Sequence, residues 1–177
     1  MNNGNYARFL EDTAAAAPDV LAVIESLPTG ELRQLTFLEM RDAVVRRRSA
    51  LAAAGCGPGQ RVLSLAPAGS RFLINVLALL SLGSVPVLLD PGFPAEALKR
   101  CLRDAGTQLA IASEAARDHF IGVPGFDGIE RWLVDSVDAH TGDSRPLVSE
   151  PVDEGAIALV LFTTGSTGAP KGALLTH

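Results

Sequence analysis

Two short apolar runs, Val62-Leu63-Ser64-Leu65 and Val85-Pro86-Val87-Leu88-Leu89, are joined by a stretch that can wind into a single helix over residues 70–82. A strand this apolar has no polar face to turn to water, so helices must cover it on both sides, as in a parallel sheet. Strand, helix and strand in this order make a βαβ unit, and the alternation continues. A helix is predicted over 95–105, a strand over 108–112, a helix over 113–120 and a strand over 132–134. Residues 156–162, Ala-Ile-Ala-Leu-Val-Leu-Phe, give the strongest strand signal in the chain. The fold class is therefore α/β, a doubly wound, mostly parallel sheet with flanking helices. Pro86 is placed at the start of its strand, because in mid-sheet it would remove a ladder bond.

Ahead of this unit, residues 6–17 can form a helix with Phe9 and Leu10 on its apolar side. Pro18-Asp19 ends it, residues 20–24 read as a strand, Pro28-Thr29-Gly30 as a turn and 32–35 as a partner strand. Thr36 and Glu39 have the spacing of a capping box, in which the hydroxyl and the carboxylate satisfy orphan N–H groups reciprocally. Phe37, Met40, Val44, Arg48 and Leu51 follow at helical steps, and Gly55 supplies the stop. Arg46, Arg47 and Arg48 fan over about 300° of a helix, so they form a solvated face and no nucleic-acid stripe. Gly55-Cys56-Gly57-Pro58-Gly59 follows a helix and precedes a strand, the reverse of a dinucleotide fingerprint, and is a connection. Residues 135–154, rich in Asp, Ser, Thr, Gly and Pro, read as a surface loop.

Composition narrows the function classes. The chain has 177 residues, is 47% hydrophobic and carries a net charge of −5, which leaves no electrostatic footprint for nucleic acid or anionic lipid. Cys56 and Cys101 stand too far apart for a CxxC site, and two cysteines make no disulfide framework. His119, His140 and His177 are scattered without metal-ligand spacing. The uncharged run 72–89 matches a minimal membrane span in length, but Gly83-Ser84-Val85-Pro86 breaks it, and no span is expected. Met1-Asn2-Asn3-Gly4-Asn5 lacks a basic leader, so the expected location is cytoplasmic.

The chemistry concentrates after the strand 156–162. Residues 163–172, Thr163-Thr164-Gly165-Ser166-Thr167-Gly168-Ala169-Pro170-Lys171-Gly172, hold four hydroxyls, three glycines and a lysine. Glycines let backbone N–H groups approach an anion, hydroxyls add donors, and a lysine supplies a mobile point charge. A loop directly after a buried strand lies where open α/β sheets bind ligands. It is no Walker A loop: Gly165 and Gly168 are three apart, and Pro170 precedes Lys171 and disfavours a following helix. The plain alternative is a flexible connection without a ligand.

This loop resembles the phosphate-binding motif of the adenylate-forming superfamily, which contains the AMP-dependent acyl- and aryl-CoA synthetases and the adenylation domains of peptide synthetases. Leu35-Thr36-Phe37-Leu38-Glu39-Met40 resembles the family's first core motif. Leu79-Leu80-Ser81-Leu82-Gly83-Ser84-Val85-Pro86-Val87-Leu88-Leu89-Asp90-Pro91 resembles its second, with Ser81 and Ser84 where Lys and Ala are usual. Within the family, the run from Val85 to Gly92 and Leu98-Lys99-Arg100-Cys101-Leu102 look most like the olefin-pathway β-lactone synthetases, with fatty-acyl-AMP ligases and acyl-CoA synthetases near competitors.

The resemblance implies an acyl-activating ligase, in which a carboxylate attacks the α-phosphate of ATP·Mg²⁺ to give an acyl-adenylate and pyrophosphate. It implies that Thr163, Thr164, Ser166, Thr167 and Lys171 contact the β- and γ-phosphates, and that Gly165, Gly168 and Gly172 let the loop close. Thr36, Glu39 and Asp90 match motif positions, but capping and turn roles explain them. His177 stands where members often carry a histidine. The adenine-binding segment, the Mg²⁺-holding Thr-Glu pair, the ribose-binding Asp, the hinge and the catalytic lysine of the family would all fall after residue 177. Residues 1–177 are thus expected to be an incomplete N-terminal portion of the AMP-binding domain, inactive alone, with no catalytic residue and no metal ligand of its own. The implied partners are ATP, a carboxylic acid (fatty or β-hydroxy fatty), and CoA, a carrier-protein thiol or an intramolecular hydroxyl as acceptor. Two other readings stay open: a non-catalytic nucleotide- or phosphate-binding module, and a pseudo-subunit completed by another chain.

Overall fold

The computed structural model describes residues 4–135, 146–164 and 170–177. Helix α1 (Arg8–Ala16) leads into a hairpin of β1 (Leu21–Ser26) and β2 (Leu32–Thr36), followed by helix α2 (Phe37–Ala53). The α/β part then runs β3 (Arg61–Ser64), α3 (Ser70–Ser81), β4 (Val85–Leu88), α4 (Ala95–Ala105), β5 (Leu109–Ala112), α5 (Glu114–Phe120) and β6 (Arg131–Val134). Two longer strands close it, β7 (Ile157–Thr164) and β8 (Pro170–Thr176).

Among the described residues six strands form one sheet in the order β6-β5-β3-β4-β7-β8. Strands β6, β5, β3, β4 and β7 run parallel, and only β8 is antiparallel to its neighbour. The crossover from β3 to β4 steps one way and that from β4 to β5 steps back over β3. With right-handed crossovers this puts α3 and α4 on opposite faces. The packing bears this out. Val62, Leu109 and Ile111 meet Met40, Val44 and Leu51 of α2 and Ile74, Ala78 and Leu79 of α3. Leu63, Val87, Ala110, Val160 and Phe162 meet Leu98, Cys101 and Leu102 of α4 on the other face, with Ala116 and Phe120 of α5 packed beside them. Neighbouring residues of one strand thus enter different cores, which is why the strands carry so few polar residues.

Pro86 lies in a strand flanked on both sides, yet it costs little. The N–H of Val85 donates to the Gln60 carbonyl on the β3 side at 2.8 Å. Alternation turns the nitrogen of Pro86 toward β7, whose ladder with β4 begins only at Val87 and Val160. The capping box of α2 forms as its spacing requires: Glu39 N donates to Thr36 Oγ1 at 3.2 Å and Thr36 N to Glu39 Oε2 at 2.8 Å.

Two expectations need correction. Leu10 is buried in α1 but Phe9 is 51% exposed, one helical step around from the buried stripe of Leu10 and Ala14. The three arginines of α2 are not one solvated face, because Arg47 is 5% exposed. It lies three residues after Val44 and four before Leu51, so the helix turns it inward with them. Its Nε donates to Asn75 Oδ1 at 2.6 Å, and its Nη2 stands 3.6 Å from Asp135 Oδ1. Burial pulls the Arg47 guanidinium below its ordinary range, and Asp135 opposes that pull. The described part of the 135–154 stretch is also tied down. Asp135 and Leu147 are buried, Leu147 N donates to Glu11 Oε2 at 2.8 Å and Glu150 N to the Ser81 carbonyl at 2.8 Å.

Removing one partner of a buried pair leaves an uncompensated charge, so Asp135→Ala should cost about 3–5 kcal/mol in urea unfolding. The double variant Arg47→Met with Asp135→Leu should recover most of that loss.

Candidate functional site

Strand β7 lies between β4 and the edge strand β8, which returns along it, with Thr164 opposite Pro170, Thr163 opposite Lys171 and Phe162 opposite Gly172. The pairing brackets residues 165–169, so Gly165, Ser166, Thr167 and Gly168 lie outside the described residues. Of the sequence-predicted site residues, the structure makes Thr163 and Lys171 direct cross-strand partners, both exposed. Such a pair keeps its Cβ atoms roughly 5 Å apart, so Thr163 and Lys171 lie side by side on one face of the strand pair. Thr164 and Gly172 follow as the flanking positions of the same ladder.

Strand β8 itself was not expected, since Gly and Pro dominate its approach. The signal available was Ala173-Leu174-Leu175-Thr176, a short run able to pair with the strand before the loop. Pro170 opens β8 at the sheet edge, where a missing N–H is tolerated.

The face that carries Thr163 and Lys171 continues through Leu161 and Ala173 to Leu159 and Leu175. There it meets an open apolar groove of about 590 Å³, lined also by Tyr6, Phe9, Leu73 and Leu77. Four residues along a strand separate Thr163 from Leu159, about 13 Å. A smaller cleft of about 330 Å³ lies at the carboxyl ends of β3 and β4, between Ser64, Ala68, Phe72, Leu89 and Pro91.

The loop from β3 to α3, which walls this cleft, is held from outside. Glu25 of β1 accepts from Ser70 Oγ at 2.6 Å and from Ser70 N at 3.4 Å, and Arg33 Nη1 stands 3.5 Å from the same carboxylate oxygen. Gly69 has φ +154°, and a Cβ there would collide with the Glu25 carboxylate. The Ser70 hydroxyl holds the Glu25 carboxyl below its ordinary value of 4.5, partial burial opposes this, and the Ser70 N–H, Arg33 and Arg71 add to the lowering.

Asp90 caps its own turn, its Oδ1 accepting from Gly92 N at 2.8 Å. His177 Nδ1 accepts from Tyr6 N at 3.1 Å and its own N–H donates to the Ala156 carbonyl, with burial lowering the imidazole's pKa. These contacts tie the residue after β8 to the turn before α1 and to the residue before β7. Among the described residues no group of three or more His, Cys, Asp or Glu stands together to hold a metal ion. No helix among them is long and apolar enough to cross a membrane.

With this geometry in place, comparison with known proteins is decisive on the family. The sequence model of AMP-binding enzymes matches residues 10–177. The chain belongs to the AMP-binding enzyme family. It is 34% identical over 173 residues to a phosphinothricin tripeptide synthetase of Streptomyces viridochromogenes, covering 95% of this chain and 15% of that protein. It is 35% identical over 165 residues to a phenyloxazoline synthase of a Mycobacterium species, covering 93% of this chain and 13% of the other. Its fold is that of a long-chain-fatty-acid-CoA ligase from Archaeoglobus fulgidus, with a TM-score of 0.80 at 23% identity over 99% of this chain and 37% of that one. A fatty acyl-adenylate ligase from L. pneumophila, solved with acyl adenylate and pyrophosphate, gives a TM-score of 0.77 at 20% identity, covering 98% and 30%. The chain thus spans a small fraction of these synthetases and about a third of the solved ligases.

A carboxyl whose folded pKa is lowered contributes stability above its ordinary pKa, and the contribution is lost as pH falls through the folded value. The urea midpoint of the parent chain should therefore exceed that of Glu25→Gln near pH 7, and the gap should close as pH falls below the ordinary carboxylate range and through the lowered folded value. A gap that stays constant would show that the carboxylate does not hold the loop.

Proposed function

We propose that this chain supplies the phosphate-binding half of an ATP-dependent acid:AMP ligase site. The observation that carries the reading is the cross-strand placement of Thr163 and Lys171 at the carboxyl end of β7, bracketing a loop of glycines and hydroxyls. In the proposed reaction a carboxylate oxygen bonds to the α-phosphorus of ATP and the bond to the bridging α–β oxygen breaks. Pyrophosphate leaves and an acyl-adenylate remains.

Lys171 and the hydroxyls of Thr163, Thr164, Ser166 and Thr167 bind the departing β- and γ-phosphates, where negative charge accumulates. Gly165, Gly168 and Gly172 let backbone N–H groups close on them. The donor set fits phosphate oxygens: a hydroxyl and an ammonium, both exposed, with no carboxylate in the pair. Mg²⁺ enters with the nucleotide, since it binds largely through phosphates and water. This reading assigns none of these residues to the nucleotide's base and sugar or to the metal, and takes the 177 residues by themselves to be inactive in the overall reaction. The adenylate then passes to CoA, a carrier-protein thiol or an internal hydroxyl, in the cytoplasm where ATP and such thiols occur.

The acid is a fatty or β-hydroxy fatty acid in this reading. The resemblance of the stretch from Val85 to Gly92 to that branch supports it, as does the apolar groove on the face that carries Lys171. A second reading, an amino acid, is favoured by the peptide-synthetase relatives at 34% identity.

Titration of the chain with pyrophosphate and with ATP·Mg²⁺ tests the phosphate assignment. Loss of a charged hydrogen bond worth about 1.5–3 kcal/mol should make Lys171→Ala bind at least roughly tenfold more weakly. Equal affinity in both proteins would refute it. ATP–pyrophosphate exchange by a longer adenylation domain carrying this sequence, run with fatty, β-hydroxy fatty and amino acids, separates the two substrates.

A further inference from the structure

Lys171 reaches the phosphate side of the sheet only if β8 keeps its register on β7. A slip of one residue turns every side chain of a strand to the other face, which would carry Lys171 toward the core beneath α4. Burial does little to prevent this. Residues 171–176 of β8 are exposed, with Leu174 at 61% and Leu175 at 45%, so apolar patterning specifies the register weakly.

The His177 hydrogen bonds to Tyr6 N and the Ala156 carbonyl anchor the far end of β8, and beside the lysine the opposed pair Phe162 and Gly172 offers a second determinant. The Phe162 ring is 8% exposed and packed in the cluster that contains Val87, Leu89 and Phe93. From there it reaches over the partner strand. A Cβ built on Gly172 would lie 3.0 Å from Phe162 Cε1, 3.4 Å from Cζ and 3.5 Å from Cδ1. The ring is wedged among core side chains and has no cheap way to yield. A Cβ opposite Phe162 therefore requires the ring to give by a few tenths of an ångström against its core neighbours, and Gly172, the one glycine of β8, avoids that cost. A slip in either direction would place Lys171 or Ala173 there and drive a Cβ against the ring.

We infer that Phe162 and Gly172 form a steric register lock, and that this lock is the positioning element that keeps Lys171 beside Thr163. Phe162 acts on a bound phosphate only through Lys171, so it is a positioning residue. The inference rests on the phosphate-loop reading for its consequence, but the lock itself is a property of the strand pair.

The test moves the glycine without changing composition. In the swap Gly172→Ala with Ala173→Gly, the lock predicts that position 173 comes to stand opposite Phe162. Inter-strand NOEs between Thr163 and Lys171 should disappear and be replaced by NOEs between Thr163 and position 172. Pyrophosphate affinity should fall by about tenfold, the worth of one charge-assisted contact. Adding Phe162→Leu to the swap should restore part of the original pairing. Retention of the Thr163–Lys171 NOEs in the swap would overturn the lock. Should the swap loosen the strand pair altogether, Phe162→Leu alone decides. Two sets of β8 amide signals support the lock, and one unchanged set refutes it. If the NOEs move as stated while the parent chain binds no pyrophosphate, the lock stands and the phosphate reading falls.

Discussion

Strands β3, β4, β5 and β7 are too apolar to face water on either side, and everything else in the structure follows from meeting that requirement. Val62 and Leu63 are adjacent in sequence, yet they enter different cores, one under α2 and α3 and the other under α4. Helices must therefore lie on both faces, and the crossovers needed to put them there reverse direction at β3. The reversal directs successive strand-to-helix loops to opposite faces at the carboxyl edge, the place where open α/β sheets hold their ligands. The exposed pair Thr163 and Lys171 stands at that edge, at the end of a strand fixed by burial. One member of the pair thus stands on a strand packed in the core and the other on the exposed edge strand β8.

Much of this architecture was legible because the physics that sets it is local. Helix α4 is predicted with the same bounds as observed, since its apolar residues recur at helical steps and Gly106 ends it in a left-handed turn at φ +64°. The Thr36 capping box and the Asp90 turn are likewise closed by groups two or three residues apart. What escaped the sequence depends on partners far along the chain. Arg47 looks like a surface arginine until Asn75 and Asp135 are brought to it. Glu25 falls just past the strand predicted over 20–24, and nothing nearby in sequence marks its partner Ser70 at the start of α3. Strand β8 is stabilised by pairing with β7 and not by a buried face, so no alternation marked it.

The site was legible in its chemistry and not in its geometry. The residue types in 163–172 pointed to an anion, but only the register shows that Thr163 and Lys171 face one another and share their sheet face with an apolar groove. The same register explains why a glycine follows the lysine: Gly172 leaves room for the Phe162 ring. Membership of the AMP-binding enzyme family fits residue types suited to a phosphate. The chain spans 15% of the phosphinothricin tripeptide synthetase and 37% of the Archaeoglobus fulgidus ligase.

The most direct test of the central claim is a crystal structure of the chain soaked with pyrophosphate and Mg²⁺. The account predicts phosphate density at the end of β7, with Lys171 Nζ and Thr163 Oγ1 both within hydrogen-bonding distance of its oxygens. Phosphate bound elsewhere, for instance in the cleft between Ser64 and Pro91, with Lys171 left in solvent, would contradict it.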